Sequence, residues 1–152
     1  MSEPAKPRAA LPEPRSLLVS TMAGELRERC ARTFAGLGYA PDGTLEVFST
    51  GDRTLDAVVA RFASEGPGFR MRVVNGFRNS VCELEAVRDK ILERMRAGQM
   101  ADMQIWELGV DTRSNCVRVG VASLTPETIT ALEVEFGAHR LCVVQGSMFT
   151  TS

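Results

Sequence analysis

Ile105-Trp106-Glu107-Leu108-Gly109-Val110-Asp111, then Thr112-Arg113-Ser114-Asn115, then Cys116-Val117-Arg118-Val119-Gly120-Val121-Ala122 is the stretch on which the fold turns. Trp106, Leu108 and Val110 alternate with Glu107 and Gly109, and Val117, Val119 and Val121 alternate with Arg118 and Gly120. That is the two-residue period of half-buried strands, and the polar tetrapeptide between them reads as a hairpin turn. By the same alternation Trp106 is expected on the covered side, with Leu108 and the valines.

Outward from the hairpin, residues 69–74 point Phe69, Met71 and Val73 one way and Arg70, Arg72 and Val74 the other. Ser80-Val81-Cys82-Glu83 fits a capping box and opens a helix with Leu84, Val87, Ile91 and Met95 on its buried stripe. After the hairpin, Thr125-Pro126-Glu127 starts a helix that buries Ile129, Leu132 and Phe136 and stops at Gly137. Residues 139–144 form a last strand. The order over 69–146 is strand, helix, strand, strand, helix, strand. This predicts an α/β (α+β) chain with a ferredoxin-like domain, a four-stranded antiparallel sheet with both helices on one face.

Before it, residues 17–68 read as a helix followed by a β-α unit. Met22, Leu26, Cys30 and Phe34 recur at helical spacing over 21–34, with Gly36 and Gly38 as the stop. Pro41-Asp42-Gly43 marks a turn, Leu45, Val47 and Ser49 alternate as in a strand, and Asp52 caps a helix with Leu55, Val58, Val59 and Phe62 on one face. Gly66-Pro67-Gly68 ends that helix. Residues 1–16 hold four of the seven prolines and read as a disordered leader, and 147–152 as a C-terminal tail. The segments 45–76 and 117–146 also echo each other. Each runs strand, capped helix, strand, and they close on Val73-Val74-Asn75-Gly76 and Val143-Val144-Gln145-Gly146, which suggests two related units unless the likeness is chance.

With 44% hydrophobic residues in 152, the chain can build a core. Eighteen Lys plus Arg balance nineteen Asp plus Glu, so bulk charge asks for neither nucleic acid nor an anionic membrane. No apolar run nears the roughly 20 residues of a membrane span and no secretory signal is evident, so a cytoplasmic location is expected, or secretion if the chain is a fragment of a larger precursor. Cys30, Cys82, Cys116 and Cys142 contain no Cys-x-x-Cys pair, which argues against structural zinc. Four reduced thiols are the default reading, although spacing leaves one bridge open.

Catalytic chemistry finds little footing. His139 is the only histidine, the carboxylates are scattered on helix faces among Arg and Lys, and the glycine pairs lack the further glycines and lysine of a phosphate loop. No catalytic, cofactor or metal residues are nominated, and the chain is expected not to be an enzyme. The open face of the sheet is more informative. Alternation turns Arg70, Arg72, Arg118 and Arg140 outward with Glu107 and Cys142, while Phe69 and Trp106 fall on the covered side and leave no aromatics there on which RNA bases could stack. A basic face for a protein partner is the expectation.

The helix start Ser80-Val81-Cys82-Glu83-Leu84-Glu85-Ala86-Val87-Arg88-Asp89, the hairpin 109–121 and the closing strand 140–146 together resemble the prodomains of secreted bacterial chymotrypsin-like proteases of the alpha-lytic protease and streptogrisin type. Residues 42–76 look like a weaker preceding repeat of the same family. The resemblance implies an intramolecular chaperone and inhibitor that pairs its sheet with a protease hairpin and lays its C-terminal tail in the active-site cleft. In this chain the parts implied are Leu141 and Val143 of the last strand and Met148 or Phe149 of the tail. The family's secretion signal and protease domain have no counterpart here, which puts a cis-acting role in question. The alternative is a ferredoxin-like scaffold or regulatory domain whose faces pair in a homodimer or larger assembly.

Overall fold

The computed structural model describes residues 13–66 and 68–146, which form helices α1 (Glu13–Arg29), α2 (Arg53–Glu65), α3 (Val81–Arg96) and α4 (Pro126–Phe136) and strands β1 (Phe34–Tyr39), β2 (Leu45–Ser49), β3 (Met71–Val74), β4 (Ile105–Asp111), β5 (Cys116–Val121) and β6 (Leu141–Gln145). The α/β class and the element order of the second half stand. The pairing does not. β3 lies parallel to β2, and two three-stranded sheets result, β1-β2-β3 and β4-β5-β6, in place of one four-stranded antiparallel ferredoxin-like sheet. The reason lies in β1, which the sequence reading took for a helix stop at Gly36 and Gly38. With a hairpin partner in β1 and a crossover through α2, β2 and β3 complete a sheet of their own.

The chain thus runs through one plan twice, helix, hairpin, helix, strand. Leu37 pairs with Val47 and Val47 with Val73 in the first sheet, as Leu108 pairs with Val119 and Val119 with Val143 in the second. Both hairpins carry a register shift at the same place, between Phe34 and Gly36 and between Ile105 and Glu107, so each counterpart lies about 71 residues on. Each unit has its own core. Met22, Leu26, Cys30, Phe34, Leu45, Val47, Leu55, Val58 and Phe62 fill the first, and Leu84, Ile91, Val117, Val119, Val121, Leu132 and Phe136 the second.

Local chemistry sets the helix limits. Asp52, Ser80 and Thr125 each accept an amide bond at the start of α2, α3 and α4, satisfying donors with no intrahelical partner. The capping box at Ser80 closes on one side only, because the Glu83 carboxylate receives Arg140 Nε at 2.7 Å. α1 begins at Glu13, inside the expected leader, since proline is tolerated in a first turn, and it ends at Arg29 rather than Phe34.

The second hairpin's turn holds the units together. Cβ atoms on Gly36 and Gly38 would stand 2.7 Å from Thr112 Cγ2 and 2.5 Å from Arg113 Nη2, so the missing side chains are what let the turn lie on β1. Arg113 sits 5.3 Å from the Phe48 ring centroid, reaches Glu46 Oε1 at 3.3 Å and donates to the Tyr39 carbonyl at 3.2 Å. At the turn's other end, Asn115 in the left-handed conformation accepts the amides of Arg78 at 3.0 Å and Asn79 at 2.8 Å and donates to the Asn79 carbonyl at 2.7 Å. Asn79 answers with bonds to the Asn115 and His139 carbonyls.

Two further expectations change. Cys116 and Cys142 are joined by a disulfide, with Cα atoms 5.8 Å apart, so the default of four reduced thiols gives way to one bridge and two free thiols, Cys30 and Cys82. The parallel register sets Cys142 opposite Arg118, one diagonal step from Cys116. Trp106 lies on the uncovered face, because the register shift inserts it as an extra residue and breaks the alternation. Its ring packs on Gly120 and Gly146, where a Cβ would come within 2.9 and 3.1 Å.

Candidate functional site

The arginines expected on one basic face are divided between two sheets, and each has a carboxylate or carbonyl partner. Arg70, just ahead of β3, donates to the Asp42 carbonyl at 2.9 Å with its carboxylate 3.9 Å away. Arg72 grips Glu46 at 2.7 Å, Arg118 pairs with Glu107, and Arg140 pairs with Glu83 across to α3. The alternation was sound and had turned Glu107 outward with Arg118, but Asp42, Glu46 and Glu83 come from distant parts of the chain. The surface is therefore one of paired charge, not a basic face.

Glu46 is the most enclosed of these carboxylates, 8% exposed on the far side of the first sheet from α1 and α2. The Arg72 guanidinium first, and Arg113 after it, hold its carboxyl below the usual range. A carboxyl whose folded value is depressed contributes stability that is full above its unfolded value and lost as the pH falls through the folded one. Wild-type chain and Glu46→Gln should therefore differ in urea midpoint at neutral pH and converge as the pH drops through and below the normal glutamate range. A difference that persists in strong acid would show that Glu46 acts through packing alone.

Cys116 and Cys142 are consumed by their bridge, burial pushes the Cys30 thiol up, and His139 is exposed in a 3-10 turn, Ala138–Arg140, where its carbonyl accepts Asn79 Nδ2. A cleft of about 510 Å³ between α3 and α4 is polar and crossed by the Arg94–Glu135 ion pair. Among the described residues no group of three or more His, Cys, Asp or Glu is placed to hold a metal ion, and no helix is long and apolar enough to cross a membrane.

The other region singled out, the last strand, has the geometry of an acceptor. β6 pairs with β5 on one side and, among the described residues, with no strand on the other. Leu141 and Val143 turn inward against the second core, while Cys142 is tied to β5. The Gly146 amide donates to the Val121 carbonyl at 3.0 Å, so alternation directs the amides of Val143 and Gln145 to the free edge. Over the uncovered face of the same sheet, on Gly120 and Gly146, Trp106 Nε1 is buried and has no hydrogen-bond partner among the described residues, a donor that sequence alternation had assigned to the covered side. Met148 and Phe149 lie outside the described residues. No family model matches the chain, and no curated protein matches it.

Proposed function

We propose that the chain is a non-enzymatic protein-binding module that works as the protease prodomains do, as a folding chaperone or inhibitor of a chymotrypsin-like serine protease. It adds a strand of its partner to the edge of β6 and offers the tail 147–152 to the active-site cleft. The observation that carries this reading is the free edge of β6, held on its other side by β5 and the Cys116–Cys142 bridge. An edge fixed before binding loses little conformational entropy when a strand joins it. The bridge also favours an oxidising compartment over the cytoplasm, as befits a partner of a secreted protease.

The test is inhibition of a purified bacterial chymotrypsin-like protease by the full chain, by a version ending at Gly146, and by Gln145→Pro. The proline removes an amide directed to the free edge and no bond within the sheet. Inhibition by the full chain that falls at least tenfold in both variants supports the reading. Absence of inhibition by the full chain, or inhibition indifferent to both changes, overturns it.

A further inference from the structure

The chain has three asparagines, Asn75, Asn79 and Asn115, and the fold secures only two of them. Asn79 is buried, and its Nδ2 donates to the Asn115 and His139 carbonyls. Asn115 is half-buried, its Oδ1 accepting the amides of Arg78 and Asn79 and its Nδ2 donating to the Asn79 carbonyl. Asn75 is exposed just past the end of β3, and its carboxamide has no hydrogen-bond partner among the described residues. Gly76 follows it, also exposed, at φ +98°, where a Cβ would meet nothing within 4 Å. The Gly76 amide donates to no acceptor among the described residues, because the next amide, that of Phe77, takes the Ser49 carbonyl at 3.2 Å. Two comparable pairs are closed. At Asp42–Gly43 the glycine amide donates to the Ala40 carbonyl at 2.9 Å, and at Gln145–Gly146, the same place in the second unit, to the Val121 carbonyl at 3.0 Å.

An asparaginyl-glycine pair left free in this way can react with itself. The Gly76 nitrogen, having lost its proton to hydroxide, attacks Cγ of Asn75. A C–N bond closes a five-membered imide, and the side-chain nitrogen leaves Cγ as ammonia, taking a proton from water. Water then opens the imide at either carbonyl, giving aspartate or isoaspartate. The net change is carboxamide plus water to carboxylate plus ammonium. The attack is intramolecular, and the missing side chain of glycine leaves the nitrogen unshielded. Glutamine in the same position must close a larger ring, so Gln145 is protected by its own length as well as by the bond of the Gly146 amide.

We propose that Asn75–Gly76 is a self-modification site of the native chain, and that its isoaspartyl product loosens the link between the two units. In isoaspartate the main chain runs through the former side chain and is one carbon longer. The added atom falls directly ahead of the anchors of that link. These are the Phe77 amide on the Ser49 carbonyl, the Phe77 ring 4.6 Å from that of Phe48, and the Arg78 and Asn79 amides on Asn115. Aspartate at the same place brings the charge without the length and leaves the anchors where they are. The site needs no partner, so it stands apart from the reading above.

Ageing of the folded full chain in mildly alkaline buffer tests this, with peptide mass mapping and methyl transfer by an isoaspartyl methyltransferase as readouts. Asn75 should convert at least tenfold faster than Asn79 or Asn115, at a rate that rises in proportion to hydroxide. Its rate should stay within tenfold of that in chain unfolded by guanidinium chloride, whereas Asn79 and Asn115 should each be slowed more than tenfold by folding. Asn75→Gln, a change at an exposed side chain without bonds, should fold normally and accumulate no acidic, methyl-accepting species. The isoaspartyl form, isolated by ion exchange, should melt at least about 3 °C below the unreacted chain, and Asn75→Asp should melt with it to within about 1 °C. An Asn75 that survives in the folded chain while it reacts in the unfolded one would overturn the proposal. So would an isoaspartyl form that melts with the unreacted chain.

Discussion

Replacing Gly36 by alanine is expected to destabilise the chain by about 3–5 kcal/mol, a large share of a typical domain's 5–15 kcal/mol. Two costs act together. Gly36 has φ +122°, where a side chain is strained, and the new Cβ would stand 2.7 Å from Cγ2 and 2.8 Å from Cβ of Thr112. Threonine is short and set in a turn pinned at Asn115 and Arg113, so it has little room to yield. If the turn lifts, Arg113 leaves Glu46 and the Phe48 ring, and the two units lose their clasp. Gly109→Ala is the control, since its new methyl would meet nothing and should change stability by under about 1 kcal/mol. Urea unfolding at constant slope reads both. Equal, small effects at the two positions would mean that the turn does not hold the units together.

Reduction of the Cys116–Cys142 bridge should cost about 3.5 kcal/mol, the loop-closure entropy restored to the unfolded chain by opening a bridge across 26 residues. For a chain of this size that lowers the melting temperature by about 10 °C. The loss should be felt first in β6, which among the described residues has a strand, β5, on one side only, so its amides should exchange faster on reduction while those of β2 change little. Cys116→Ala with Cys142→Ala checks the same prediction without reductant. A melting temperature moved by less than about 2 °C would show the bridge to be dispensable. Under the proposed function, the reduced chain should also bind its partner more weakly, because the accepting edge is then less ordered before binding.

The sequence reading succeeded where interactions are local. Ser80, Thr125 and Asp52 were legible as caps because a cap bonds amides two or three residues away. The hairpin of β4 and β5 was legible because its alternation and turn are contiguous. It failed at β1, where Gly36 and Gly38 serve the approach of Thr112 and Arg113 from far along the chain and carry no strand signature of their own. Without β1, β3 was assigned to the wrong sheet. The echo between 45–76 and 117–146 held the missing information, since matching closing strands imply matching sheets.

The candidate site divides the same way. Arg72, Arg118 and Arg140 were read as charged and outward, but Glu46, Glu107 and Glu83, which neutralise them, reach them only through the pairing of strands or the packing of α3. Trp106 was placed on the covered face because strict alternation contains no bulge. The bridge between Cys116 and Cys142 has no motif and follows from the parallel register of β5 and β6.

By itself, then, the sequence determined the class of the chain, most helix starts and the apolar faces of its elements, because capping and periodicity act within a few residues. The tertiary structure alone decided which strands share a sheet, which charges cancel, which thiols join and which edge stays free. Those outcomes depend on groups distant in sequence being brought within bonding distance, and no local preference encodes that.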